Sequence, residues 1–214
     1  MRSYLWVVVL IKPAALLISA SEIFVGGANA VSPQVARTAL CAHTRYMDEV
    51  RIRHCAPGDY GVVVAIYNYY IENTHTTFAT TPYSIGERAP WFSQFNESGP
   101  NQLLVAEQGD AVLGFCCSTP FSNRSAYDVS VETTVYLAMD ATGRGIGKRL
   151  YDELLENLSG IGLHGAYAGI ALPNDASVKL HESLGFCNVG VYEEVGWKFD
   201  KYWSVAWYEL RIPG

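Results

Sequence analysis

The sequence predicts an α+β domain built on a mixed, largely antiparallel central sheet flanked by helices. Three observations lead there. Residues 103–107 and 112–118 are apolar runs joined by Gln108-Gly109-Asp110, the signature of a hairpin. Residues 186–195 and 203–210 read as a second, closing strand pair. Helices and strands also mix without the strict β-α alternation that a parallel, doubly wound sheet requires.

Taken in chain order, residues 50–54 alternate as a short strand. Asp59 stands where it can cap a helix running to about Glu72, with Val63, Ile66, Tyr67, Tyr70 and Ile71 on its buried face. Residues 73–82 form a polar loop carrying one aromatic side chain, Phe78. A second helix is expected from Ser84 to Glu97, ended by Ser98-Gly99-Pro100-Asn101. After the hairpin, a loop over 120–128 bears Arg124, Ser125 and Tyr127 and enters a strand over 129–137. Ile146, Leu150, Leu154 and Leu158 then recur at helical spacing, with Lys148, Arg149, Asp152, Glu153 and Glu156 facing solvent. Residues 165–172 make a small-residue strand. Asn174 caps a last helix, which stops at Leu184-Gly185-Phe186, a left-handed glycine flanked by apolar residues.

Composition narrows the function. A chain of 214 residues that is 50% hydrophobic supports one domain with a sizeable core. Its net charge of -6 lacks the basic face that nucleic-acid binding needs. Cys41, Cys55, Cys116, Cys117 and Cys187 include no C-x-x-C pair, so they read as small buried hydrophobes in a reducing compartment rather than a disulfide frame or a zinc site. Residues 1–46 stand apart from the domain expected over 47–214. Their apolar runs, 5–11 and 14–20, are split by Lys12-Pro13 and are too short for the ~20 residues of a membrane span. Arg2, the apolar run and Ala28-Asn29-Ala30 have the outline of a secretory signal, but the interruption and the late cleavage site favour a poorly structured extension. A cytoplasmic protein without stable membrane insertion is the expectation.

The stretch 131–159 is the chemical centre of the chain. It reads as a buried strand, a loop with three glycines in five residues, and an amphipathic helix. Unpartnered N–H groups and the helix dipole make such a junction a site for phosphate. It is not a Walker A loop, because Thr142 stands five residues before Gly147 and Arg149 follows Lys148. Nor is it a dinucleotide fingerprint, because the spacing is G-x-G-x-G. On its own the loop fits a phosphate cradle and a plain strand-to-helix turn equally well.

The order of motifs adds what the loop lacks. The run R-G-x-G-I-G at a helix start, followed by L-P-N-D-A-S-V-K-L-H-E-S-L-G-F, resembles the GNAT superfamily of N-acetyltransferases. I-E-N-T at 71–74, N-R-S-A-Y at 123–127, V-E-T-T-V-Y at 131–136 and V-G-W-K-F at 195–199 are similar to the phosphinothricin and methionine sulfoximine acetyltransferases. The resemblance covers about 50–211 and implies the GNAT acyl-CoA N-acyltransferase fold.

It also implies roles. Acetyl-CoA would lie along the backbone of Val135, Tyr136 and Leu137, with its pyrophosphate on the amides of Gly143, Arg144, Gly145, Ile146, Gly147 and Lys148. Asn174 would touch the cofactor arm. Glu132 would be the general base that deprotonates the substrate ammonium, and His181 would stand where many GNAT enzymes place a tyrosine acid. Phe78, Arg124, Ser125 and Tyr127 would line a pocket for a small amino-acid substrate, Arg124 pairing an oxyanion; Trp197 and Tyr202 would add apolar walls. Two departures are visible. Thr142 replaces the family's usual Arg or Gln, and Asp200-Lys-Tyr202-Trp-Ser204-Val replaces G-x-W-x-D-V. The expected reaction is direct transfer from acetyl-CoA in a ternary complex, without a metal, by a homodimer. The alternatives are acetylation of peptide or protein amines and a non-catalytic acyl-CoA-binding module.

Overall fold

The computed structural model of the chain describes residues 49–213, so the 1–46 extension lies outside the described residues. Strand β1 (Arg51–His54) is followed by helices α1 (Tyr60–Asn73) and α2 (Ile85–Phe92). The hairpin β2 (Leu103–Gln108) and β3 (Ala111–Pro120) comes next, then β4 (Ser130–Leu137) and α3 (Ile146–Leu158). Strand β5 (Gly165–Ala171), α4 (Asp175–Ser183), β6 (Cys187–Lys198) and β7 (Lys201–Arg211) complete the domain. The strands form one sheet in the order β1-β2-β3-β4-β5-β7-β6, with every pairing antiparallel except β4 with β5. The α+β expectation holds. No helix among the described residues is long and apolar enough to cross a membrane.

Alternation along the strands feeds a core on each face of the sheet. On one face α3 lays Ile146, Leu150, Leu154 and Leu158, each no more than 1% exposed, against Leu104, Cys116 and Val131. Truncating any one of these leucines to Ala should cost about 2–5 kcal/mol. On the other face α1 and α2 cover Leu103, Val105, Phe115 and Cys117 with Val63, Val64, Ile66 and Phe92. Cys116 and Cys117 thus point into different cores, as neighbours on a strand must.

Local details depart from the sequence reading. Asp59 does sit at the start of α1, but its side chain makes no cap hydrogen bond. Its carboxylate instead accepts from Arg53 at 2.6 and 3.0 Å and from the Ala56 amide at 2.8 Å. A charge-assisted pair outcompetes one neutral cap contact. Helix α2 begins as expected, with Ser84 and Glu87 in a capping box, but ends at Phe92 rather than Glu97. Pro90 weakens its ladder, and the Asn96 amide turns back to Asn101 O at 3.0 Å, closing a separate loop.

The parallel ladder of β4 and β5 is short. It runs from Ser130 opposite Gly165 to Glu132 opposite Tyr167, and there it stops. Beyond that point β4 leans on β3, where Gly114 makes room: a Cβ on Gly114 would lie 2.4 Å from Leu137 Cδ2 and 2.7 Å from Tyr136 O. The strands open like a V, and the functional cleft occupies the opening.

Candidate active site

A cleft of about 470 Å³ lies between the diverging strands. Thr133 to Leu137 form one wall and Ala168 to Ala171 the other, while the glycine loop and the first turns of α4 close its ends. Val135, Tyr136, Leu137, Gly143, Gly145, Gly147, Lys148, Asn174 and His181 all line it, so the structure brings most of the expected cofactor set together.

The glycine loop is shaped to receive an anion. Gly143 and Gly145 have φ of 72° and 75°, left-handed values that favour glycine, and a Cβ on either would meet no protein atom within 4 Å. The first helical bond of α3 runs from Arg149 N to Gly145 O, which leaves the preceding amides without helical acceptors. The side chains behave differently from the backbone. Ile146 is buried in the core, and Arg144 turns away to donate to Gln108 Oε1 at 2.9 Å. Lys148 lines the cleft but pairs with Asp152 at 2.8 Å. Thr142 donates its hydroxyl to Met139 O at 2.8 Å, so that proton is not free for a ligand. Asn174 lines the cleft, and its Oδ1 accepts from Ser177 N at 3.2 Å as the N-cap of α4.

His181 is buried, and its ring is held from both sides. Nδ1 lies 2.8 Å from the Ser177 carbonyl, which can only accept, so Nδ1 carries the proton. Nε2 then accepts from the Tyr151 hydroxyl, 2.9 Å away. Burial pushes the His181 pKa below its usual value, against the Ser177 bond, which favours the imidazolium. Tyr151 was not singled out from sequence. It follows Leu150 on the apolar stripe of α3 and reads there as another core residue, yet it also lines the cleft, and burial pushes its pKa far up. The available signal was chemical: a buried tyrosine needs a partner for its hydroxyl.

Glu132 sits at the last rung of the β4–β5 ladder, on the sheet face opposite α3. It is half-buried, and burial raises its pKa above the ordinary carboxylate value. Its carboxylate makes no hydrogen bond or ion pair among the described residues. Around it the aromatic side chains form a floor. Tyr167, its register partner, lies 4.8 Å from Phe121, and Phe121 lies 5.6 Å from Tyr127 and 6.2 Å from Trp207. The loop bearing Arg124, Ser125 and Tyr127 is exposed and leans on that floor through Phe121.

The remaining expected wall residues stand elsewhere. Phe78 packs on Gly196 of β6 so closely that a Cβ there would lie 2.4 Å from its ring. Trp197 and Tyr202 do not line the cleft. They meet edge-on at 4.6 Å near the β6–β7 turn, each more than half exposed (54% and 56%). Lys198, overlooked in the sequence, is buried with its amine on Thr77 O at 2.8 Å and Tyr70 O at 3.5 Å, tying the 73–82 loop to β6.

An opened parallel pair, a left-handed glycine cradle at a helix start and an unpaired carboxylate at the fork define a class. The chain belongs to the GNAT family of acetyltransferases: residues 63–186, more than half its length, match the Acetyltransferase (GNAT) family. It is 47% identical, over 77% of this chain and 97% of that protein, to a phosphinothricin N-acetyltransferase of Streptomyces coelicolor. It is 30% identical, over 75% and 94%, to an L-methionine sulfoximine/L-methionine sulfone acetyltransferase of Pseudomonas aeruginosa. Among solved structures, a phosphinothricin acetyltransferase from Sinorhizobium meliloti in complex with acetyl-CoA superposes with a TM-score of 0.73 at 30% identity, covering 77% of this chain and 89% of that one.

Proposed function

We propose that this enzyme transfers the acetyl group of acetyl-CoA to the α-amine of a small amino-acid analogue, of the phosphinothricin, methionine sulfoximine or methionine sulfone type, by direct transfer in a ternary complex. The observation that carries the reading is the position of Glu132. Its unpaired carboxylate stands one residue before the stretch of β4 that walls the cleft. Acceptor and donor therefore meet on one strand. The names of the curated relatives support the acceptor class, and the acetyl-CoA in the Sinorhizobium structure supports the donor.

The residues present fit acetyl-CoA. Open space at Gly143 and Gly145, with free first-turn amides on α3, suits a pyrophosphate, and the unladdered edge of Val135 to Leu137 suits an amide-bearing arm. The bound co-substrate supplies an acetyl group activated as a thioester. Glu132 takes a proton from the substrate ammonium, directly or through water, so that the neutral nitrogen forms the new C–N bond, and the nitrogen loses its second proton to solvent as the tetrahedral adduct collapses to the amide. As the C–S bond breaks, the sulfur receives a proton. We assign that proton to the Tyr151 hydroxyl, which lines the cleft and turns from His181 Nε2 to the sulfur to deliver it before regaining a proton from solvent; His181, whose one N–H is held by Ser177 O, has a positioning part. Arg124 and Tyr127 hold the acceptor from the exposed loop.

The functional unit is a homodimer on this reading. Val189, Val191, Tyr192, Val195, Trp197 and Tyr202 are all exposed on β6 and β7, and β6 is a free sheet edge. A second copy covering that arm is the simplest way to bury it. The exposed Cys187 thiol suits a reducing, cytoplasmic setting.

The test is release of free CoA across a panel of amino-acid analogues and N-terminal peptides. Turnover on the analogues is the expected result. Turnover on peptides alone would replace the substrate class, and acetyl-CoA binding without turnover on any amine would reduce the protein to a binding module.

A further inference from the structure

Arg88, near the middle of α2, is a cation in an aromatic frame with nothing charged to answer it. Its guanidinium carbon lies 4.0 Å from the ring centre of Trp91 and 5.0 Å from those of Tyr67 and Tyr83. A guanidinium in such a frame still carries five N–H donors in its plane. No hydrogen bond or ion pair engages those donors among the described residues. The other arginines beside the core are paired: Arg53 with Asp59 and Glu107, and Arg149 with the Val50 carbonyl.

The frame is fixed to the sheet face that bears Glu132. Tyr67 meets Tyr136 of β4 edge-on at 5.1 Å, and Trp91 meets Phe115 of β3 at 6.4 Å. Glu132, Thr134 and Tyr136 alternate onto this face of β4, and Cys117, paired with Thr134, lies beneath them. Burial raises the Cys117 thiol, and Arg88 and Glu132 act on it in opposite senses.

We propose that Arg88 is a specificity-determining residue, whose guanidinium edge receives the α-carboxylate of the acceptor while its amine faces Glu132. The inference rests on the proposed amino-acid acetyltransferase reading and deepens it. An α-amino acid presents an ammonium and a carboxylate on one carbon, so a site for it needs a carboxylate and a cation on one face. Stacking on the rings steadies the cation but gives its N–H donors no acceptor, and a carboxylate is the group that matches their planar fork. Arg124, across the aromatic floor, is left for an oxyanion on the acceptor's side chain. The acceptor class that satisfies both is an amino acid with a second oxyanion, such as a phosphinate.

The experiment compares kcat/KM for an amino-acid analogue and for its α-carboxamide, in the wild type and in Arg88→Met. The wild type should prefer the carboxylate, and Arg88→Met should reduce that preference about 10–100-fold, with the KM for acetyl-CoA unchanged. A preference that survives Arg88→Met, with both acceptors losing rate alike, overturns the inference and leaves Arg88 a clamp. If Arg88→Met does not fold, Arg88→Lys keeps charge and stem but loses the planar fork, and the ratio is read in the same way. A wild type silent on every amino-acid analogue would instead sink the proposed function, and this inference with it.

Discussion

The Tyr151 hydroxyl lies 2.9 Å from His181 Nε2, and the direction of that bond is set from the far side of the ring by the Ser177 carbonyl, 2.8 Å from Nδ1. A histidine in this arrangement has no proton to offer the cleft. It accepts the Tyr151 proton, and Thr133, whose own proton goes to Tyr167 O at 3.3 Å, is a second and longer acceptor for that hydroxyl at 3.4 Å.

Tyr151→Phe should therefore lower kcat by roughly 10²-fold, the lower end for a lost general acid, with KM for acetyl-CoA little changed. An apolar ring of the same shape keeps the packing of α3, so the melting temperature should stay within a few degrees. A full-rate Tyr151→Phe enzyme would remove the tyrosine from the chemistry and return the question of the acid to His181.

The same pair sets a pH dependence of stability. Burial holds the folded pKa of His181 below 6.5, its value in an open chain. As pH falls through that unfolded value, the unfolded chain gains a proton that the folded one refuses, so stability is lost in acid and is complete above it. The slope approaches ~1.4 kcal/mol per pH unit between the two pKa values. His181→Gln, which cannot titrate, should flatten the acid side of the stability curve in urea titrations at pH 5 to 7. Parallel curves for the two proteins would contradict the assignment.

Glu132→Gln should cut kcat by about 10²–10⁴-fold while leaving the acetyl-CoA dissociation constant nearly intact. Because burial raises the pKa of Glu132, wild-type kcat/KM should fall on acidification sooner than an ordinary glutamate would dictate, and the variant should lose that limb. The folded chain favours the neutral carboxyl here, so at neutral pH the substitution should leave the melting temperature unchanged or higher. A variant that turns over at the wild-type rate would exclude Glu132 as base.

How much of this was legible follows from what kind of signal each feature leaves. The stripe of Ile146, Leu150, Leu154 and Leu158 and the Gly185 stop are local patterns, and they appear in the structure at the expected places. Asp59 misled because a cap and an ion pair look identical along the chain; only the fold brings Arg53 to it. Tyr151, Lys198 and Arg88 were passed over for a related reason. Each looks like packing or a solvated charge in one dimension, and each owes its interest to partners from distant segments, such as Thr77 O for Lys198 or Tyr67 for Arg88. Thr142 shows the converse. Its departure from the family pattern was visible, but that its hydroxyl is occupied by Met139 O needed coordinates.

The contact between Phe78 and Gly196 offers a way to disturb the 73–82 loop, whose Thr76 also lines the cleft. The 73–82 loop is held to β6 and β7 at three points: Phe78 on Gly196, Lys198 on Thr77 O, and His75 stacked on Trp203 at 4.0 Å. None of these touches the glycine cradle. In Gly196→Ala the new methyl would start 2.4 Å from the Phe78 ring, a distance that real side chains do not tolerate, so the ring and its loop must move. Overpacking of this kind costs about 1–3 kcal/mol, and the displacement falls on the loop between α1 and α2, on the sheet face that carries Glu132. The expected result is a several-fold rise in KM for the amine acceptor with a smaller rise in KM for acetyl-CoA, measured by varying each substrate at saturating levels of the other. Gly196→Ala combined with Phe78→Leu should recover part of the loss by shortening the side chain that the methyl strikes. Equal rises in both KM values would mean that the loop supports the whole cleft rather than the acceptor pocket alone.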